Sequence, residues 1–121
     1  MKRQQSGFTL IELVMVIIIL GILAASFAPQ FVDFGASALT AAKAGASGAV
    51  KSALTVAIAD TRGFPDVTTL ASYVPEGTAV AAGIQVAIDG TNYTVPTYTD
   101  SACSTATTAT TDTVRCVGTI P

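Results

Sequence analysis

The chain has 121 residues, enough for one small domain, and its formal net charge is −2. Half of its residues are hydrophobic and 12% are charged, about half the charged share that is usual in soluble proteins. The Lys and Arg residues are scattered and form no basic stripe, which argues against nucleic-acid binding. Histidine is absent, so the commonest general base and metal ligand is missing. We therefore predict a protein that is not an enzyme and has no metal and no cofactor.

The hydrophobicity is concentrated near the N-terminus. Residues 8–28 contain only three polar side chains, Thr9, Glu12 and Ser26. A helix of this length is about 30 Å long, which matches the hydrocarbon core of a bilayer. Lys2 and Arg3 precede it, so the positive-inside rule predicts a cytoplasmic N-terminus and export of residues 30–121.

Glu12 separates this segment from two simpler interpretations. A cleaved secretory signal or a plain signal anchor accounts for an apolar run, and Ala24-Ala25-Ser26 has the small residues of a cleavage site. Neither accounts for a carboxylate in lipid. Such a group costs on the order of 3 kcal/mol and by default indicates a functional partner.

The N-terminal segment also carries a recognisable pattern. A short basic leader ends in Gly7, the run Phe8-Thr9-Leu10-Ile11-Glu12 follows, and the apolar stretch continues to Pro29. This pattern resembles the signal of type IV pilins and their relatives. The resemblance implies that a prepilin peptidase cuts between Gly7 and Phe8 and that the new N-terminus of Phe8 is methylated.

The resemblance further implies an α+β fold of the type IV pilin kind, with a long N-terminal helix, a small antiparallel sheet and a C-terminal disulfide loop. The chain is then divided into a leader peptide (residues 1–7), a transmembrane and assembly half-helix (residues 8–30) and a globular head with the rest of the helix (residues 31–121). The implied function is that of a structural subunit, polymerised into a surface filament for adhesion, motility or DNA uptake.

The same resemblance implies the partners and the location. The partners are further copies in a helical filament, the prepilin peptidase, the pilus assembly platform with its ATPase, and a surface or host receptor. The precursor lies in the bacterial inner membrane, with its N-terminus in the cytoplasm and its head in the periplasm. The assembled subunit lies in an extracellular pilus.

Glu12 has a physical role in such a filament. Cleavage gives Phe8 a positive amine, and Glu12 lies about 6 Å further along the helix axis. In a bundle of helices, the carboxylate of one copy can pair with the amine of a neighbour, and each charge offsets the desolvation of the other. We expect an unpaired subunit to expose both groups to lipid or to neutralise Glu12.

The helix is predicted to run from Phe8 to Arg62. Gly21 and Pro29 weaken it, and the resemblance implies that residues 21–29 are helical in the isolated chain and unwind in the fibre. Both residues are therefore expected to be assembly positions. The C-terminal end is indicated by a cation in the last turn, a C′ glycine at Gly63 and a proline just beyond.

The second half of the helix is predicted to be amphipathic. Its apolar face comprises Leu39, Ala42, Ala46, Ala49, Val50, Ala53, Leu54, Ala57 and Ile58. Its polar stripe comprises Thr40, Lys43, Ser47, Lys51 and Thr55. We expect the sheet of the head to pack on Val50, Leu54 and Ile58.

The head is predicted to begin with a loop over residues 64–83. Within it, a short helical turn over residues 68–73 is capped by Asp66 and ended by Pro75.

Residues 84–88 and 93–99 alternate in polarity around an Asp-Gly-Thr-Asn turn, which predicts a β-hairpin. Pro96 argues that the second of these strands is an edge strand or is interrupted. Residues 114–120 are a candidate third strand.

Cys103 and Cys116 are the only cysteines. Because the head is expected to be exported, we predict a disulfide between them, closing a loop of about 14 residues and worth about 3 kcal/mol. The loop contains six threonines and one serine. We expect it to be mobile and solvated; the alternative is a surface patch for contacts or O-glycans.

Two other functions stay open. A pseudopilin of a type II secretion system would use the same helix in a short periplasmic piston, and calcium dependence without a disulfide would favour it. A membrane-anchored binding module would keep residues 8–28 in the bilayer as a monomer with an intact N-terminus.

Overall fold

The computed structural model describes residues 7–121, apart from the side chains of residues 30–33. Its elements in chain order are α1 (Leu10–Thr61), α2 (Val67–Ser72), β1 (Thr78–Val80), β2 (Gly83–Ile88), β3 (Thr91–Tyr98) and β4 (Cys116–Val117). Contacts divide the chain into two units, Met1–Ser37 and Ala38–Pro121. A long helix followed by a small antiparallel sheet confirms the predicted α+β fold.

Helix α1 is continuous through both of its predicted weak points. Gly21 and Pro29 lie inside it, although proline lacks the N–H that would bond the carbonyl four residues earlier. The helix starts at Leu10, two residues later than predicted, and ends at Thr61.

The residue that ends α1 is a correction to the sequence prediction. Arg62, rather than Gly63, takes the left-handed conformation at the helix end, with φ of 56°. This is the position where glycine is favoured because a side chain there meets the backbone. The Arg62-Gly63 pair correctly predicted where the helix ends. The left-handed residue, however, is one position earlier than predicted.

The buried face of α1 is rotated from the predicted one. Ser47 was assigned to the polar stripe but is 1% exposed, and Lys43 is half-buried. The Ser47 hydroxyl donates to the Lys43 carbonyl at 2.8 Å and accepts from the Ile120 backbone N–H at 3.0 Å. Ala42 and Ala49, assigned to the apolar face, are exposed. Alanine is too small to mark a face, and a short hydroxyl can be buried once it is fully bonded.

Helix α2 is confirmed close to its predicted position. Asp66 is its N-cap, and one carboxylate oxygen accepts from the Thr69 backbone N–H at 2.6 Å. Hydrogen bonds from Thr69 hold the pKa of Asp66 below its usual value. Val67 and Leu70 are fully buried, so α2 covers one side of the head core.

The sheet is antiparallel throughout, in the order β1-β2-β3-β4. The predicted hairpin is β2 and β3, joined by Asp89 and Gly90 with φ of 50° and 74°. Two positive φ angles define the hairpin turn that Asp-Gly favours. β3 therefore begins at Thr91, earlier than predicted.

Strand β1 was missed, because its three residues lie in the segment predicted as a loop and are too few to show alternation. It pairs with β2 from Thr78↔Gln85 to Val80↔Gly83. Gly83 is needed there: its φ is 148°, and a Cβ on it would collide with the Val95 carbonyl of β3.

The last predicted strand is shorter than expected. Only Cys116 and Val117 form β4, which pairs with the end of β3. β3 is thus paired on both sides, and Pro96 lies where its pairing changes from β2 to β4. β3 is therefore not the edge strand that Pro96 suggested, and the Pro96 carbonyl accepts from the Gly118 N–H at 2.8 Å.

One hydrophobic core joins these elements within Ala38–Pro121. Its fully buried side chains larger than alanine are Val50, Val67, Leu70, Ile84, Val95 and Val114. Leu54 also belongs to the core, and Ile58 packs against it half-buried, so the predicted packing of the sheet on Val50, Leu54 and Ile58 is confirmed.

Candidate processing and assembly site

The start of α1 is formed by a reciprocal pair of hydrogen bonds. The Glu12 backbone N–H donates to the Thr9 hydroxyl at 3.3 Å, and the Thr9 backbone N–H donates to Glu12 Oε2 at 2.9 Å. The Thr9 carbonyl accepts from the Leu13 N–H at 3.2 Å, as an N-cap carbonyl does. This arrangement is a capping box, in which two orphan donors of a first turn are satisfied together.

The capping box was not predicted, although the Thr-x-x-Glu spacing that defines it was visible in the sequence. It adds to the expectation for an isolated subunit, in which Glu12 was to be exposed to lipid or neutralised. One carboxylate oxygen of Glu12 has a donor inside its own chain. That donor is a neutral N–H, so the bond satisfies the oxygen without neutralising the charge.

The third polar side chain of the apolar segment is also bonded within the helix. The Ser26 hydroxyl donates to the Ile22 carbonyl at 3.0 Å. In lipid, polar groups must find their partners inside the protein. Thr9, Glu12 and Ser26 all do so, which fits a helix that spends time in a bilayer.

The apolar side chains around Glu12 are exposed. From Leu10 to Leu23 the large hydrophobic side chains have between 37% and 81% of their surface exposed, and Phe8 has 92%. By length and composition α1 is able to cross a membrane, and none of its apolar window is buried in the structure. A shallow groove beside Glu12 is lined by Phe8, Ile11, Met15 and Val16.

The predicted processing residues lie just before the helix. Gly7 and Phe8 are exposed and not helical. They flank the bond at which cleavage is predicted and lie five and four residues before Glu12 along the chain. The leader residues 1–6, with Lys2 and Arg3, lie outside the described residues.

The other two predicted assembly residues, Gly21 and Pro29, are exposed positions of α1. No atom lies within 4 Å of the place that a Cβ on Gly21 would take, apart from the surrounding helix backbone. The structure therefore gives Gly21 no packing role within the chain. Its unwinding in a fibre stays a prediction.

The disulfide between Cys103 and Cys116 is present, with Cα atoms 5.5 Å apart. The loop that it closes was expected to be mobile and solvated; most of its residues are exposed, but two of them are buried and the loop bonds the rest of the head. Thr107 is 3% exposed, and its hydroxyl shares a hydrogen bond of 2.7 Å with the buried Thr97 of β3. The Thr107 backbone N–H also donates to the Thr97 carbonyl at 2.9 Å.

Further bonds tie the far side of this loop to α2. The N–H groups of Val67 and Thr68 donate to the carbonyls of Asp112 and Thr110, at 3.2 and 3.0 Å. Val114 is fully buried in the core. Composition could not show which threonine is buried, because position within the fold decides whether its hydroxyl is buried and bonded.

Two aspartates organise the ends of the loop. The Thr105 N–H and the Ser104 hydroxyl bond the Asp100 carboxylate and lower its pKa to about 2. The N–H groups of Thr108 and Ala109 bond Asp112 and lower its pKa as well. Within residues 7–121, no group of three or more His, Cys, Asp and Glu side chains is arranged to hold a metal ion.

Comparisons with known proteins also concern the N-terminal part of the chain. Residues 2–28 match the family described as the prokaryotic N-terminal methylation motif. The chain is 46% identical over 59 residues to the type IV narrow pilus major component PilA5 of Thermus thermophilus, covering 49% of this chain and 51% of that protein. It is 69% identical over 29 residues to the type II secretion system core protein G of Pseudomonas aeruginosa, covering 24% of this chain and 20% of that protein.

The chain thus spans at most about half the length of the curated relatives it matches. No solved structure matches it. The match to the methylation motif lies at the start of the exposed apolar helix, as in the prepilin-type proteins that the N-terminal pattern resembles. The similarity to the pilus component and the small sheet with its C-terminal disulfide support a type IV pilin.

Proposed function

We propose that this chain is the structural subunit of a type IV pilus. The observation that carries the proposal is the exposed apolar half of α1 with Glu12 on it. A contiguous apolar surface of this extent marks a membrane or protein interface. A helix that first lies in the bilayer and then packs among identical helices uses it for both.

The proposed maturation follows from the motif. The precursor is held in the inner membrane with its N-terminus in the cytoplasm and its head in the periplasm. A prepilin peptidase cuts between Gly7 and Phe8 and methylates the amine of Phe8. The exposed, non-helical backbone at these two residues supports cleavage there. The precursor then consists of a leader peptide (residues 1–7), a transmembrane and assembly half-helix (residues 8–30) and a head with the rest of the helix (residues 31–121).

The proposed assembly step is charge pairing. The amine of Phe8 in one copy pairs with the Glu12 carboxylate of a neighbour, and the groove beside Glu12 offers an apolar surround in which such a pair is strengthened. The capping box gives Glu12 a partner before assembly, and the amine supplies the counter-charge afterwards. Gly21 and Pro29 allow α1 to unwind between them as the helices pack.

The remaining proposed partners are the pilus assembly machinery and a receptor outside the cell. We propose an assembly platform with its ATPase for polymerisation. A surface or host receptor would meet the head, where the disulfide loop presents exposed hydroxyl groups such as those of Ser104 and Thr105 on a hydrogen-bonded backbone. The role is structural rather than catalytic.

A pseudopilin of a type II secretion system is the second candidate. The 69% identity over 29 residues to a secretion-system core protein favours it. The match to the pilus component covers twice as many residues, 59, and half of each chain, which favours the pilus.

Sheared surface fibres from cells that express the chain test the proposal. Electron microscopy with peptide mapping should find it in long extracellular filaments, as the major mass of the fibre. Retention in the periplasm without surface fibres would favour the pseudopilin. A monomer in the inner membrane with residues 1–7 attached would contradict both.

A further inference from the structure

The helix begins two residues after the bond that the proposed function requires to be cut. Gly7, Phe8 and Thr9 are not helical, and α1 starts at Leu10. Phe8 is 92% exposed, and nothing beyond its chain neighbours lies within 4 Å of the place that a Cβ on Gly7 would take. The Gly7–Phe8 bond is therefore open backbone outside the helix.

A bond in this state can be cut, whereas the same bond inside a helix cannot. Proteins that bind peptides along their length commonly take them in extended form, with main-chain bonds to the binding groove. Cleavage then tracks the population in which the substrate backbone is open. The position at which α1 begins consequently bears on how fast the precursor matures.

The Thr9 side chain fixes that position. Its hydroxyl accepts from the Glu12 N–H, a first-turn donor that would otherwise need another partner. Without the hydroxyl, the next residue upstream whose side chain can accept a hydrogen bond at an N-cap is Ser6. A helix capped at position 6 would take up Gly7 and Phe8 and enclose the bond between them.

We propose that Thr9 is a positioning residue for maturation. Its hydroxyl makes α1 begin after the Gly7–Phe8 bond and so keeps that bond in the extended form that the peptidase cuts. The inference rests on the proposed function, because it assumes cleavage at this bond. It also separates Thr9 from Glu12. Replacing Glu12 by alanine removes the carboxylate but leaves the bond between the Thr9 hydroxyl and the backbone N–H of residue 12.

The test uses the full-length precursor in phospholipid vesicles with purified prepilin peptidase. The initial rate at low substrate concentration is followed by the mass lost with residues 1–7. Thr9→Ala should be cut more slowly, by up to roughly fivefold, the factor by which loss of an N-cap shifts the equilibrium towards the longer helix. Thr9→Ser, which keeps the hydroxyl, should be cut within about twofold of the unaltered chain.

A second substitution distinguishes helix extension from a direct contact with the peptidase. Ser6→Ala removes the alternative cap, so adding it to Thr9→Ala should restore most of the rate, while Ser6→Ala alone should leave the rate unchanged. Hydrogen exchange at the Leu10 and Ile11 amides, which would bond the carbonyls of residues 6 and 7 in the longer helix, should slow in Thr9→Ala and recover in the double variant.

Equal rates for Thr9→Ala and the unaltered chain would overturn the inference and leave the proposed function intact. So would a slow Thr9→Ala precursor whose Leu10 and Ile11 amides exchange at the usual rate, or a Thr9→Ser precursor as slow as Thr9→Ala. If the unaltered chain is not cut at Gly7–Phe8, the proposed function itself fails.

Discussion

The carboxylate of Glu12 is asked to do two things that differ in their chemical requirements. Bonding the Thr9 N–H requires an acceptor oxygen at the end of the side chain. Pairing with a neighbour's amine requires a negative charge. Glutamine offers the first and lacks the second, since Gln serves in a capping box as Glu does. Substitution can therefore separate the two roles.

We predict that Glu12→Gln is processed normally but fails to form filaments, with fibre yield below about a tenth of the unaltered level, because a buried amine left without its counter-charge is strongly unfavourable. Glu12→Ala should behave likewise. The measurement is the amount of subunit in the sheared-fibre fraction beside the amount of cleaved subunit in the cell. Glu76→Gln, the same change at an exposed head residue, is the control. Fibres of Glu12→Gln at the unaltered level would contradict the charge-pairing account.

Asp100 makes the head sensitive to acid. Its pKa is lowered from 3.8 to about 2 by bonds to the folded loop, so the folded state prefers the ionised form. The stability that it contributes is fully present above about pH 4 and is lost as the pH falls towards 2. Asp100→Asn should thus destabilise the head at neutral pH and progressively less in acid.

Denaturant unfolding of both chains between pH 7 and pH 2 measures this difference. The gap in the free energy of unfolding should narrow as the pH falls, with Glu76→Gln as a matched control. A gap that is constant over the whole range would show that the Asp100 charge does not stabilise the loop.

At the scale of the elements, the end of α1 is the place where the sequence and the backbone disagree. Arg62 occupies a left-handed position with φ of 56°, which costs a side-chain-bearing residue about 1 kcal/mol. The positive charge of Arg62 lies at the C-terminal end of α1, where the helix dipole stabilises a cation. This interaction offsets part of the cost. The side chain and the backbone therefore act in opposite directions at this residue.

We predict that Arg62→Gly raises the free energy of unfolding of the head by about 1 kcal/mol over Arg62→Ala, because only glycine adopts this backbone without strain. Both variants lack the cation, so their difference isolates the backbone term. Urea unfolding followed by tyrosine fluorescence is the measurement. Equal stabilities would mean that residue 62 changes its φ when its side chain is replaced.

The elements that the sequence predicts well are those with strong local chemistry. The Asp66 cap, the Asp-Gly turn and the long apolar run each specify their structure within a few residues, and all three are found. β1 was missed because three residues carry no readable period. The burial of Ser47 was missed because its partner, the Ile120 N–H, is 73 residues away along the chain.

The candidate site shows the same division. The Thr-x-x-Glu spacing could have predicted the capping box, since both partners lie within one turn. The pairing of Thr97 with Thr107 could not have been predicted, because it depends on how the disulfide loop returns to β3. Interactions between copies are beyond a single chain and stay predictions.

For the molecule as a whole, stability has to come from a small core. The head buries few large side chains, and domains of this size often need a covalent link. The disulfide joins the start of the loop to β4, while hydrogen bonds from Thr97 and α2 hold the loop between. The disulfide therefore stabilises a loop that is also held by its own hydrogen bonds.

We predict that replacing both Cys103 and Cys116 by serine lowers the free energy of unfolding of the head by about 3 kcal/mol, the value for a closed loop of this length. The loop should keep its fold, so the Thr107 amide should stay protected from hydrogen exchange under native conditions. A Thr97→Val variant, which keeps the disulfide but removes the buried hydroxyl, is the comparison. Loss of Thr107 protection in the serine variant alone would show that the disulfide, rather than the hydroxyl pair, holds the loop.

The contact between the Phe8 amine of one copy and the Glu12 carboxylate of its neighbour is central to the proposed function. Cryo-electron microscopy of the native fibre, at a resolution that shows side chains, measures it directly. We predict that the chain begins at a methylated Phe8 and that its amine lies within about 4 Å of the Glu12 carboxylate of an adjacent copy. A fibre in which Glu12 bonds only its own Thr9, with the neighbouring amine elsewhere, would contradict it.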